Sequence, residues 1–128
     1  MLSFTAREEY LALARSTTVH VAALLGIPFT RAADLRLGVD EACAVFLEPM
    51  AFLDRKSPAS AGRTLTVLFE SVDGQLRITV SGPAPHRQPD LEGLGWTLLR
   101  ALLDEPHWEV EGAVGTLTLT EPIPQMWR

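Results

Sequence analysis

The chain has 128 residues, 47% hydrophobic and 21% charged, a composition that suits one globular domain around a single core. Its formal net charge of -5 argues against direct binding to a nucleic-acid backbone, which needs clustered Lys and Arg, and no apolar run approaches the roughly 20 residues of a membrane span. The lone Cys43 leaves no internal disulfide, and the N-terminus lacks a secretory pattern, so a cytoplasmic location is expected.

Thr5-Ala6-Arg7-Glu8 reads as a capping box, and Leu11, Ala14, Thr18, Val21 and Leu25 recur at helical spacing, which predicts a first helix over Ala6–Leu25. Thr30 is a candidate N-cap for a second helix, whose stripe of Leu35, Val39, Ala42, Cys43, Phe46 and Leu47 runs to Pro49. Met50–Arg63 has no period and is expected to be a loop. From Thr64 the period changes to two. Leu65, Val67 and Phe69, then a turn at Asp73-Gly74, then Leu76, Ile78 and Val80 predict a β-hairpin. Gly82–Glu92, with three prolines, is expected to be a long loop. A third helix is predicted over Gly93–Leu103, with Leu94, Leu98, Ala101 and Leu102 inward. Trp108–Glu111 and Gly115–Thr120 predict a last antiparallel pair, in which Leu117 and Leu119 alternate with threonines. These elements sum to an α/β two-layer sandwich, a mostly antiparallel mixed sheet with helices on one face.

Three segments carry a resemblance. Leu35-Arg36-Leu37-Gly38-Val39-Asp40-Glu41-Ala42-Cys43-Ala44-Val45 resembles the N-box helix of the anti-sigma regulatory factors, Ser/Thr protein kinases of the GHKL ATPase superfamily, which reads L-x-x-A-V-x-E-A-C-x-N. Gly93-Leu94-Gly95 and the helix after it are similar to that family's glycine box. Gly115-Thr116 is similar to its G-T-x-V-x-L ending. In order, with a hairpin between them, the matches span essentially the whole chain, which implies one GHKL-like domain over residues 1–128 with an irregular tail from 122.

The resemblance implies Glu41 as the candidate general base, and Gly93, Gly95 and Thr116 as remnants of a nucleotide site. Val45 stands where the family has a Mg²⁺-binding Asn, and a valine offers no oxygen to a hard cation. The family's adenine box, D-x-G-x-G, is replaced by Val80-Ser81-Gly82-Pro83-Ala84-Pro85-His86, without an acid before Asp90 and with prolines that remove N–H donors. No resident cofactor and no metal are therefore expected, and Mg-ATP enters only if the chain is a working kinase.

Other residues have simpler readings. Cys43 at a core position is expected to be an inert thiol. His20, His86 and His107 are too far apart in sequence for a zinc motif. Trp127, in the tail, is an interface candidate on even terms with packing. Two functions stay open: a partner-binding regulator that captures a sigma factor or a STAS-domain anti-anti-sigma protein, and an active Ser/Thr kinase that phosphorylates such a STAS protein. The resemblance also implies a homodimer.

Overall fold

Asp73 and Gly74 both have positive φ, 52° and 76°, as a two-residue turn matched to the twist of a hairpin requires. They join β2 (Thr64–Val72) to β3 (Gln75–Pro83), and the expected hairpin is present with Val67 opposite Val80 and Phe69 opposite Ile78. The computed structural model describes residues 2–5, 8–54, 64–84 and 94–124. Besides the hairpin it contains β1 (Leu2–Thr5), a 3-10 turn at Glu8–Tyr10, α1 (Leu11–Leu24), α2 (Phe29–Asp54), α3 (Leu94–Leu102), β4 (Asp104–Glu111) and β5 (Val114–Pro122). The strands form one antiparallel five-stranded sheet in the order β1-β2-β3-β5-β4. No described helix is long and apolar enough to cross a membrane.

Alternation gives the sheet two different faces. Leu65, Val67, Leu76, Ile78, Val80, Leu117 and Leu119 are buried under the helices. Thr66, Ser81 and Thr116 form a cross-strand row on the other face, where Ser3 and Thr66 hydroxyls lie 3.1 Å apart in a hydrogen bond. Helix α2 covers the apolar face through Leu35, Val39, Ala42, Cys43 and Phe46, and α1 packs chiefly on α2. The two-layer α/β architecture is thus the one that the change of period from helical to two implies.

The first helix begins later than its sequence suggests. Thr5 is the last residue of a strand paired with Thr64, and α1 starts at Leu11 with no side-chain cap at Tyr10. A strand of Leu2–Thr5 gains ladder hydrogen bonds along the free edge of β2, and this competes with the local capping signal. Residues 6 and 7 lie outside the described residues. Of the predicted stripe, Leu11, Ala14 and Thr18 are buried and Val21 and Leu25 are partly buried, while Ala22, outside that stripe, is buried beside them. The Thr18 hydroxyl donates to the Ala14 carbonyl at 2.6 Å.

Helix α2 does not stop at Pro49 but runs on to Asp54. A proline removes one backbone hydrogen bond, and the turns on either side keep theirs. Of the expected loop at 50–63, Met50–Asp54 is therefore helical and 55–63 lies outside the described residues. Gly82 and Pro83 belong to β3, and residues 85–92 of the second expected loop are likewise outside. The phase of α3 is also different. Leu98 is 38% exposed and Ala101 is exposed, while Leu99 and Leu103 are buried and Trp96 and Leu102 partly so. Leu103 packs closely on Gly38 of α2, where a Cβ would stand 2.6 Å from Leu103 Cδ1, so a larger residue there would force that side chain to shift. Strand β4 starts at Asp104, before the predicted Trp108, and its register shifts between Asp104 and His107 where Pro106 interrupts the ladder.

Cys43 is buried, as its place on the stripe implies. Burial pushes its thiol up to about 12, the negative Asp40 adds to the rise, and Arg15 opposes it. At pH 8 the folded chain should therefore resist alkylation by iodoacetamide and react fully once denatured in urea, a difference that mass spectrometry reads directly.

Candidate functional site

Four residues apart on α2, Glu41 and Val45 share one side of the helix, and Gly95 at the start of α3 approaches Glu41. The half-buried Glu41 carboxylate places Oε2 3.0 Å from where a Cβ on Gly95 would stand. Gly95 lies in the first turn of α3, where unpaired backbone N–H groups favour a nearby negative charge. Glu41 itself makes no hydrogen bond or ion pair with any described residue. Two segments more than fifty positions apart in sequence thus meet at one carboxylate that has no partner among the described residues.

The contact makes a specific prediction. Alanine in place of a helical glycine usually gains about 0.5–1 kcal/mol, but at position 95 the new methyl meets the carboxylate of Glu41. Gly95→Ala should therefore stabilise the chain in a Glu41→Ala background by about that amount and show little or no gain beside the native Glu41. Urea unfolding of the two singles and the double completes the cycle, and equal gains in both backgrounds would exclude the contact.

One turn beyond Glu41, the helix presents carbon. Val45 is half-buried against the core, and Phe46 lies over a pair of glycines directly opposed on β3 and β5. A Cβ on Gly82 would stand 2.6 Å from Leu65 Cδ2 and 3.2 Å from Phe46 Cδ1. A Cβ on Gly115 would stand 2.6 Å from Trp108 Cη2 and 3.2 Å from Phe46 Cε1. The Phe46 and Trp108 rings are 5.6 Å apart and tilted by 51°, a favourable aromatic geometry. The indole Nε1 of Trp108 is buried without a hydrogen-bond partner among the described residues. This floor of two glycines roofed by two aromatic rings was not singled out from the sequence. Its signal is there in retrospect: single glycines inside strands mark close approach.

Thr116 lies elsewhere. Gly115 and Leu117 face the helices, so alternation turns Thr116 to the other face, opposite Ser81 and Glu109. In the G-T-x-V-x-L pattern the threonine is in phase with the apolar residues that follow, whereas here Leu117 and Leu119 are out of phase with it. The fold therefore brings Glu41 and Gly95 together and leaves Thr116 outside the group. Gly93, His86, Asp90 and Trp127 lie outside the described residues. His20 and His107 are exposed on α1 and β4, and the described residues contain no group of three His, Cys, Asp or Glu able to hold a metal.

Chemically, the site offers one carboxylate that can accept a hydrogen bond or a proton, a helix N-terminus beside it, and an aromatic-covered sheet end. Mg²⁺ fits the first of these and not Val45, which has no ligand atom. No protein-family model matches the chain, and no curated protein matches it.

Proposed function

We propose that the chain is an anti-sigma-type regulatory domain related to the GHKL ATPases, one that binds a sigma factor or a STAS-domain anti-anti-sigma protein in partner-switching transcription control without turning over ATP. The observation that carries the reading is the meeting of Glu41 and Gly95, from two of the three resembling segments, beside a turn that presents Val45 and Phe46. In phosphoryl transfer, metal ions and oriented donors carry nearly all of the catalysis. Loss of a Mg²⁺ clamp removes several kcal/mol of transition-state stabilisation. A protein-binding role does not depend on that clamp. Such a regulator works by mass action, because a partner held at one surface excludes its competitor. A cytoplasmic homodimer belongs to the same proposal.

The second reading, an active kinase for a STAS protein, is favoured by the Glu41 carboxylate, which makes no hydrogen bond or ion pair with the described residues and so has lone pairs available to accept a proton. Calorimetric titration with Mg-ATP separates the two. The regulator reading expects no heat at millimolar nucleotide, and micromolar binding restores the kinase. Co-purification from the organism that makes the chain then tests the partner: recovery of neither a sigma factor nor a STAS protein removes the regulator reading.

A further inference from the structure

The two edges of the sheet differ in chemistry. Strand β1 carries Leu2, Ser3, Phe4 and Thr5, with no charge. Strand β4, at the other edge, carries Glu109 and Glu111, and the segment from Ala101 to Gln125 contains no Lys or Arg at all. The acids are not randomly placed. With Trp108 on the helix side opposite Leu117, alternation sets His107, Glu109 and Glu111 on one face of β4 and Trp108 and Val110 on the other. Glu109 is 66% exposed, Val110 is 45% exposed, and Val114 across the β4–β5 turn is exposed too. Among the described residues no strand flanks β4 on the side away from β5. Pro106 and the register shift beside it confine the open ladder to His107–Glu111.

We infer that the free edge of β4 at His107–Glu111 is a docking surface for an extended segment of a protein partner in which basic and apolar residues alternate, added to the sheet as a sixth strand. An edge strand offers unpaired N–H and C=O groups that bind any extended chain, and the side chains on its two faces select which one. On the face of Glu109 and Glu111 the added strand needs Lys or Arg; on the face of Trp108 and Val110 it needs an apolar residue. A second copy of this chain pairing through its own β4 is a poor occupant, because it would set carboxylates beside carboxylates in a protein already at a net charge of -5, and its uncharged β1 offers no basic residue to Glu109 or Glu111. The inference names the surface used by the proposed regulator, and so rests on that reading.

The probe is a short synthetic peptide of alternating Lys and Val, titrated into the full ¹⁵N-labelled chain at low salt, with an alternating Glu and Val peptide as its counterpart. The expected result is amide shift changes concentrated at His107–Glu111 and Val114, none with the acidic peptide, and affinity weakened about tenfold or more by Glu109→Lys/Glu111→Lys. Both residues are exposed, so the variant should keep the parent spectrum elsewhere, which shows that it folds. Shifts scattered over the helices, or equal binding by the variant, would overturn the inference and leave the acids as a guard against edge pairing. Co-purification with the same variant separates the two ideas. If wild type and variant retain a sigma factor or STAS protein equally, the edge is wrong and the regulator stands; if neither retains one, the regulator reading fails.

Discussion

Replacing Phe46 with alanine should cost about 3–5 kcal/mol, the range for removing a fully buried aromatic side chain. Phe46 is 1% exposed and its ring touches two surfaces that cannot close over the gap. Below are the backbones of Gly82 and Gly115, which lack side chains to fill the space; beside it is Trp108, at 5.6 Å between ring centres. Relaxation is therefore limited, and the loss includes an aromatic pair worth about 0.5–1.5 kcal/mol beyond its buried area. Against a usual domain stability of about 5–15 kcal/mol, this is a large share. Urea unfolding should show a lower midpoint with an unchanged slope. The partner change, Gly115→Ala, should cost about 1–3 kcal/mol through overpacking, and less in a Phe46→Ala background where one of the two rings in its way is gone. A cost below about 1 kcal/mol for Phe46→Ala would mean that the ring is not wedged as described.

A second large effect is expected at Arg31, which ties three elements together. Its Nε and Nη2 donate to the two carboxylate oxygens of Glu121 on β5 at 3.0 and 2.6 Å, Nη2 also donates to the Leu102 carbonyl at the end of α3 at 3.0 Å, and Nη1 donates to Asp34 at 2.9 Å. The two ends of the pair are unequal. The Glu121 side chain is 8% exposed, whereas that of Arg31 is 37% exposed. Removing one partner of a buried pair costs about 3–5 kcal/mol, and solvent around the arginine reduces this to about 2–3 kcal/mol for Arg31→Met. Glu121→Leu should cost less, because the arginine it abandons can rehydrate while the buried carboxylate cannot. The double variant Arg31→Met/Glu121→Leu should recover most of the loss, since no buried charge remains unpaired. Chemical unfolding of the three variants checks the order. If Glu121→Leu proves the costlier single change, the asymmetry of burial is not what decides it.

Neither Phe46 over Gly82 and Gly115 nor Arg31 on Glu121 was legible in the sequence, although the elements that carry them were. A period of two gave away β2, β3 and β5 because each has one face in the core and one in solvent, so the pattern is written into consecutive residues. Helix α3 shows where such reading stops. Its apolar residues, Leu94, Leu98, Leu99, Leu102 and Leu103, fit more than one helical phase, and only packing against α2, where Leu103 meets Gly38, shows which of them is buried. Strand β1 shows the same limit. Four residues with a capping signal beside them become a strand only because β2 has a free edge.

For the candidate site the division is similar. Glu41 and Gly95 were legible as separate motifs because each resembles a box of a known family, and the alternation that turns Thr116 away from them is plain in Gly115–Thr120 itself. By itself, then, the sequence determined the two-layer α/β class, the turn at Asp73-Gly74, the buried stripe of α2 from Leu35 to Phe46 and the carbon-only side chain at Val45, all of which depend on residue chemistry within a few positions. Only the tertiary structure decided that Glu41 meets Gly95, that Phe46 and Trp108 roof two opposed glycines, and that Arg31 finds Glu121 ninety positions away. Those contacts depend on how whole elements pack, and the energy that selects a packing is summed over many distant residues at once, so no local pattern records it.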